Sequence, residues 1–194
     1  MKLLTNETPS NSWLTFDTNK EVIRSKSKDC KLPLSKEDEH TMNKLIDFVV
    51  YSQDDKLNVE GSKDYLRPAV GLAAPQVGVN KNMFYVRFQL PDEKLEEYAM
   101  VNAKVVARST QIAFLEDGEG CLSVAKDHRG IVPRPYKVMI TGYDNITKEE
   151  VTLTLRSYKS IVFQHEIDHL HGKLYYDHIN KRSPDHVGDG WIEL

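Results

Sequence analysis

Between positions 36 and 53, apolar residues recur at helical spacing: Met42, Leu45, Ile46 and Val49 fall on one face. Ser35 and Asp38 precede that run at the spacing of a capping box, with Asp in place of the usual Glu. The pattern predicts a first helix ending near Gln53, followed by a polar loop over 54–65. The period then changes. Four stretches, 83–88, 99–106, 138–143 and 151–155, are rich in β-branched and aromatic residues and predict strands. Tyr143, Asp144 and Asn145 mark a turn between the last two, which predicts a hairpin. Helical spacing returns near Ser157, and Gly172 stands where a helix stop is expected. A short strand is predicted at 191–194. Helix, several strands, then helix implies an α+β class, with antiparallel β-sheets packed around a central C-terminal helix. The 194 residues fit one domain, 1–194, and the polar, weakly patterned segment 1–35 is expected to wrap the surface or fray.

The second predicted helix carries unusual polar content, Gln164-His165-Glu166-Ile167-Asp168-His169. His165 and His169 stand at i and i+4, so they share a face. Ile161, Val162 and Leu170 make that face apolar and inward-looking, where histidines are costly unless something binds them. Two neutral imidazoles at this spacing close on one metal ion, and Glu166 reaches a water activated there without being a ligand. A catalytic site of this kind needs a third protein ligand and an open position. Downstream, Tyr175 occupies the place of a metzincin third His, while Asp177, His178, His186 and Glu193 follow no strong helix signal. Upstream, Cys121 lies in Glu119-Gly120-Cys121-Leu122-Ser123. Its thiolate is a soft, strong ligand, and Gly120 lets the backbone come close. Cys30, the other of the two cysteines, reads as a small buried hydrophobe.

Three blocks resemble, in this order, the motifs of the peptide deformylase family. They are Gly71-Leu72-Ala73-Ala74-Pro75-Gln76, Glu119-Gly120-Cys121-Leu122-Ser123 and Gln164-His165-Glu166-Ile167-Asp168-His169. The long segment before the first block and Asp117-Gly118 before the second resemble the longer, Gram-positive-like subtype. Two positions depart from the pattern: Ala69 replaces a Gly and His171 replaces a frequent Asn. Neither removes a reacting group. The resemblance implies a metal-dependent hydrolase that removes the formyl group from N-formyl-methionyl peptides and releases formate. It implies that Cys121, His165 and His169 bind one divalent ion, natively Fe2+, with Zn2+, Ni2+ or Co2+ able to substitute. Glu166 would act as general base and then acid, and the Gln76 side-chain amide and the Leu122 N–H would donate to the oxyanion. Substrate backbone is expected to add to a strand edge at Val70 and Gly71. Ile161 and Val162 are expected either to wall the methionine pocket or to be plain helix core. Asp168 is expected to pair with Arg134 or to remain a solvated helix charge.

Composition narrows the partners. A net charge of −3 offers no basic face for DNA, although a transient ribosome contact suits an enzyme acting on new chains. No run approaches the roughly 20 apolar residues of a membrane span, and the first residues lack a signal-peptide stretch. With one of two cysteines a proposed ligand, no disulfide framework is expected, so a reducing, cytoplasmic setting follows. A monomer is the expected state. Two other readings are a zincin-type endopeptidase with a downstream third ligand, and a non-catalytic protein whose structural metal takes His171 or His178 as a fourth ligand.

Overall fold

The computed structural model describes residues 2–92 and 94–194. In chain order it contains α1 (Lys20–Ile23), α2 (Lys36–Ser52), β1 (Gly71–Ala73), β2 (Met83–Gln89), β3 (Leu95–Arg108), β4 (Ile112–Phe114), β5 (Arg134–Pro135), β6 (Lys137–Asp144), β7 (Glu149–Arg156), α3 (Ser157–Leu170) and β8 (Ile192–Glu193). The larger sheet has the order β1-β2-β3-β6-β7, and every neighbouring pair in it is antiparallel. The expected β6–β7 hairpin is present, with Asp144 opposite Glu149. The α+β class with antiparallel sheets holds, with one local exception. In the small sheet β5-β4-β8, the pair β4–β8 is parallel. A parallel pair needs a long crossover, and here the chain between the two strands includes all of α3.

Helix α2 starts where its cap dictates: the Ser35 hydroxyl accepts the Asp38 N–H at 3.1 Å. Its buried face, Met42, Leu45, Phe48 and Val49, packs on Met83 and Tyr85 of β2. Alternate β2 residues, Phe84, Val86 and Phe88, belong instead to the core around Val162, Phe163, Ile167 and Leu170 of α3. Because successive side chains in a strand point to opposite faces, β2 is covered on both sides. This explains its nearly continuous apolar run. β1, β4 and β5 are only two or three residues long, and half of β3 begins in the polar sequence Leu95-Glu96-Glu97-Tyr98. Neighbouring strands, not their own composition, hold these segments extended.

The N-terminal segment wraps the body and is fastened to it. The buried Asp47 carboxylate accepts the Leu4 N–H at 2.9 Å, the Thr5 N–H at 2.8 Å and the Thr5 hydroxyl at 2.7 Å. Asn102, in the left-handed region at a bulge of β3, bonds both the N–H and the carbonyl of Cys30. Cys30 is a core residue, as its reading as a buried hydrophobe expects. Past α3, Gly172 has φ +68° and packs directly on the Arg24 carbonyl, leaving no room for a side chain. Among the described residues, no helix is long and apolar enough to cross a membrane.

Phe163 is the hub of the α3 packing. Its ring lies 5.6 Å from Phe84, 5.6 Å from Tyr98 and 6.3 Å from Phe88. Phe163→Ala is expected to lower stability by about 3–5 kcal/mol, read as a fall in the urea midpoint. Phe16→Ala, at an exposed ring, is expected to cost only about 0.5 kcal/mol.

Candidate active site

Helix α3 is buried over most of its length, including Ser160, Gln164, Glu166 and His169. Such groups need partners. Ser160 Oγ and Gln164 Nε2 both donate to the Pro135 carbonyl, at 2.9 and 3.0 Å, and this ties α3 to β5. One turn on, His165 and His169 project side by side, with ring centroids 5.1 Å apart. Cys121 comes to them from a loop 48 positions before His169, and its Sγ lies 3.3 Å from His169 Nε2. One donor atom each from Cys121, His165 and His169 lies within 4.8 Å of the others. These three make up the group among the described residues.

This donor set fits a single metal ion. A thiolate with two imidazoles suits a borderline-soft divalent cation, and three protein ligands is the count of a catalytic rather than a closed structural site. The proton affinities agree. Burial disfavours a proton on His165, but Cys121 and Glu119 outweigh it and hold the imidazole well above its usual value. Burial, then the neighbouring His165, pushes His169 well below. The environment therefore favours the charged form of one imidazole and the neutral form of the other.

A carboxylate–guanidinium chain supports the group. His165 Nδ1 meets Glu119 Oε2 at 2.8 Å, which directs Nε2 toward the sulfur. Glu119 receives Arg134 Nε and Nη2 at 2.7 and 2.9 Å, a two-point clamp. Arg134 Nη1 continues to Asp168, and His178 Nε2 meets the same carboxylate at 2.7 Å. Burial alone would raise the Glu119 carboxyl; Arg134 and His165 override it and hold the group at about 2. Asp168 is held low in the same way, with His178 and Arg134 outweighing its burial. Of the two expectations for Asp168, pairing with Arg134 is the one observed. Glu119 supports the site without being singled out by any sequence pattern; its place two residues before the thiol, inside the Cys121 block, is the one signal the sequence offers for it.

Glu166 lies on the other side of the cleft. Its carboxyl is buried and pushed up to about 7 by that burial, and Oε2 has no hydrogen-bond partner in the protein. Oε1 lies 2.5 Å from where a Cβ on Gly71 would stand. Gly71 is thus required by Glu166 itself, a reason separate from the close substrate approach expected of it. The Gln76 amide is oriented by its own neighbours. Its Oε1 accepts the Ala73 N–H at 2.9 Å, and Nε2 is directed to Cys121 Sγ at 3.6 Å. The Leu122 N–H finds no acceptor among the described residues.

The open edge of β1 borders this cleft. The Arg87 N–H bonds the Val70 carbonyl. Hydrogen-bonded and non-bonded pairs alternate in an antiparallel ladder, so Gly71 and Ala73 direct their backbone groups away from β2. The Ala73 N–H is already taken by Gln76, which leaves Gly71 facing the cleft. A cavity of about 260 Å³ is lined by Val70, Gly71, Gln76, Cys121, Leu122, Ile161, Val162, His165 and Glu166, among others. Ile161 belongs to this wall. Val162 does so too, while also packing in the α3 core.

The competing ligand candidates lie elsewhere. His178 is bound to Asp168, His171 Nδ1 lies 2.8 Å from the Ile167 carbonyl, and Glu193 sits on exposed β8. Buried Arg134 pairs with two carboxylates, Glu119 and Asp168, and removing one partner of a buried ion pair strands the other. Arg134→Met is expected to cost about 3–5 kcal/mol. A lowered thermal midpoint together with weaker metal retention would be the signature.

The comparisons with known proteins agree with this geometry. The family model for polypeptide deformylase matches residues 14–185. Peptide deformylase 2 of Geobacillus stearothermophilus is 44% identical over 173 residues, covering 89% of this chain and 92% of that one. Peptide deformylase 2 of Bacillus anthracis is 41% identical over 169 residues, covering 87% and 90% respectively. The crystal structure of a probable peptide deformylase from synechococcus phage S-SSM7 superimposes with a TM-score of 0.68 at 28% identity, over 86% of this chain and 98% of that one. With the three motif blocks brought to one cleft and relatives aligned over nearly their whole length, this chain belongs to the peptide deformylase family, in its Bacillus-like branch.

Proposed function

We infer that the chain hydrolyses the N-terminal formyl group of formyl-methionyl peptides, yielding formate and a free amine. The observation that carries this reading is the meeting of Cys121, His165 and His169 in one cleft with Glu166 and Gln76. Cys121, His165 and His169 would hold one divalent ion, read as Fe2+ natively from the family resemblance. Bound there, the ion supplies Lewis acidity that makes water nucleophilic at neutral pH.

The remaining chemistry falls to the side chains. The formyl-methionyl backbone lies along Gly71 at the open edge of β1, which sets the formyl carbon in reach of the attacking water. The methionine side chain enters between Val70, Ile161 and Val162. Glu166 removes a proton from the water as its oxygen bonds to the formyl carbon. The carbonyl oxygen becomes an oxyanion, which the Gln76 amide and the Leu122 N–H stabilise by donating to it. Glu166 then delivers the proton to the amide nitrogen as the C–N bond breaks, and formate leaves. A dry carboxyl pushed up to about 7 suits a group that must both take and return a proton. A zincin reading is not favoured, since Glu193 and His178 stand outside the metal-capable group.

Formate release from formyl-Met-Ala-Ser by anaerobically purified protein, with metal analysis of the same sample, tests the assignment. Glu166→Ala should retain its metal and lose about 10²–10⁴-fold in kcat, whereas Cys121→Ser should show an altered metal content. Gln76→Leu should keep metal and lose about 10²–10³-fold. Near-normal kcat in metal-loaded Gln76→Leu would refute the oxyanion role.

A further inference from the structure

We propose that a groove continuing from the catalytic cleft past Val70 and Tyr158 holds the peptide beyond its third residue, and selects an apolar or aromatic side chain there. The proposal rests on the deformylase reading above and extends it to the length and character of the substrate.

Two cavities meet at this wall. The cleft of about 260 Å³ and a larger cavity of about 880 Å³ share Pro68, Ala69, Val70 and Tyr158. The direction of β1 decides which way a substrate runs. Gln76 and Cys121 lie beyond the C-terminal end of β1, so a peptide with its formyl group there and its backbone along β1 runs antiparallel to the strand. With the methionine opposite Gly71, the second residue falls opposite Val70, the third opposite Ala69 and the fourth opposite Pro68. The chain is thereby led into the larger cavity, advancing about 3.4 Å per residue.

The mode of recognition must change at that point. Ala69 has no free ladder groups: its N–H donates to Ser52 Oγ at 3.1 Å and its carbonyl accepts Gln53 Nε2 at 2.7 Å. Pro68 has no N–H. Backbone pairing therefore ends near the third residue, and only side chains can be read further on. The walls there include Phe88, Leu90, Tyr98, Leu153 and Tyr158, with Tyr158 43% exposed. Of the charges lining the groove, Lys159 pairs with Glu96 and Arg87 bonds the Gln53 side chain, while Asp55 and Arg156 are exposed. Beside these charges the groove offers an apolar and aromatic surface to a side chain.

The test compares three substrates on the metal-loaded enzyme: formyl-Met-Ala-Ser, formyl-Met-Ala-Ser-Phe-Ala-Leu and formyl-Met-Ala-Ser-Gly-Ser-Gly. The apolar hexapeptide is expected to show a KM about tenfold below that of the tripeptide, a difference of roughly 1.4 kcal/mol, with kcat unchanged. The polar hexapeptide should behave like the tripeptide. Leu90→Asp and Leu153→Asp should each remove the advantage, with tripeptide constants and thermal midpoint reporting whether the variant is intact. Equal KM for all three substrates overturns the proposal, as does an advantage that survives both substitutions or is shared by the polar hexapeptide. Absence of formate from every substrate would instead strike the deformylase reading itself.

Discussion

A helix that carries two histidines and a glutamate has been placed inside the core, and the rest of the structure answers to that burial. Dry polar groups are tolerated only when something satisfies them. Ser160 and Gln164 are satisfied by one carbonyl of β5. His165 is satisfied by Glu119, Glu119 by Arg134, and Arg134 in turn by Asp168. The chain of charges alternates in sign, so each member lowers the cost of the next. His169 and Glu166 keep atoms with no partner inside the protein, Nδ1 and Oε2. Glu166 lines the cleft, whereas His169 Nδ1 is the ring nitrogen opposite the one that meets Cys121.

The same helix explains the sheet. β2 is apolar on both faces because α2 covers one and α3 the other. The aromatic contacts of Phe163 with Phe84, Phe88 and Tyr98 join α3 to β2 and β3. β1 is the edge of that sheet, and the alternation of its antiparallel ladder with β2 is what leaves one backbone position, Gly71, open toward the cleft. The outward groups on either side of it are held by Ser52, Gln53 and Gln76. Cleft and open strand edge are therefore one construction, with Glu166 pressed against the glycine that presents that edge.

Elements with a strong local period could be read from the chain directly. α2 begins at the cap marked by Ser35, β2, β6 and β7 appear within a residue or two of their patterned stretches, and the β6–β7 turn lies where Asp144 and Asn145 stand. β1, β4 and β5 could not be read, because two or three residues carry no period and their extension is imposed by pairing. The site divides in the same way. His165, Glu166 and His169 share a helix, so spacing alone brings them together. Cys121 stands out among several candidate ligands only beside the other motif blocks, and Glu119 is marked only by its place two residues before the thiol.

By itself the sequence determined which side chains are available for the chemistry, since donor type, acidity and softness belong to the residue and travel with it. It also determined the relation of His165 to His169, because helical geometry converts four positions into one shared face. Only the tertiary structure decided that a thiol 48 positions away completes the set, that Arg134 bridges Glu119 and Asp168, and that Gly71 makes room for a carboxylate. These are contacts between distant segments. Their existence depends on how two helices bury opposite faces of one sheet, and no local pattern encodes that.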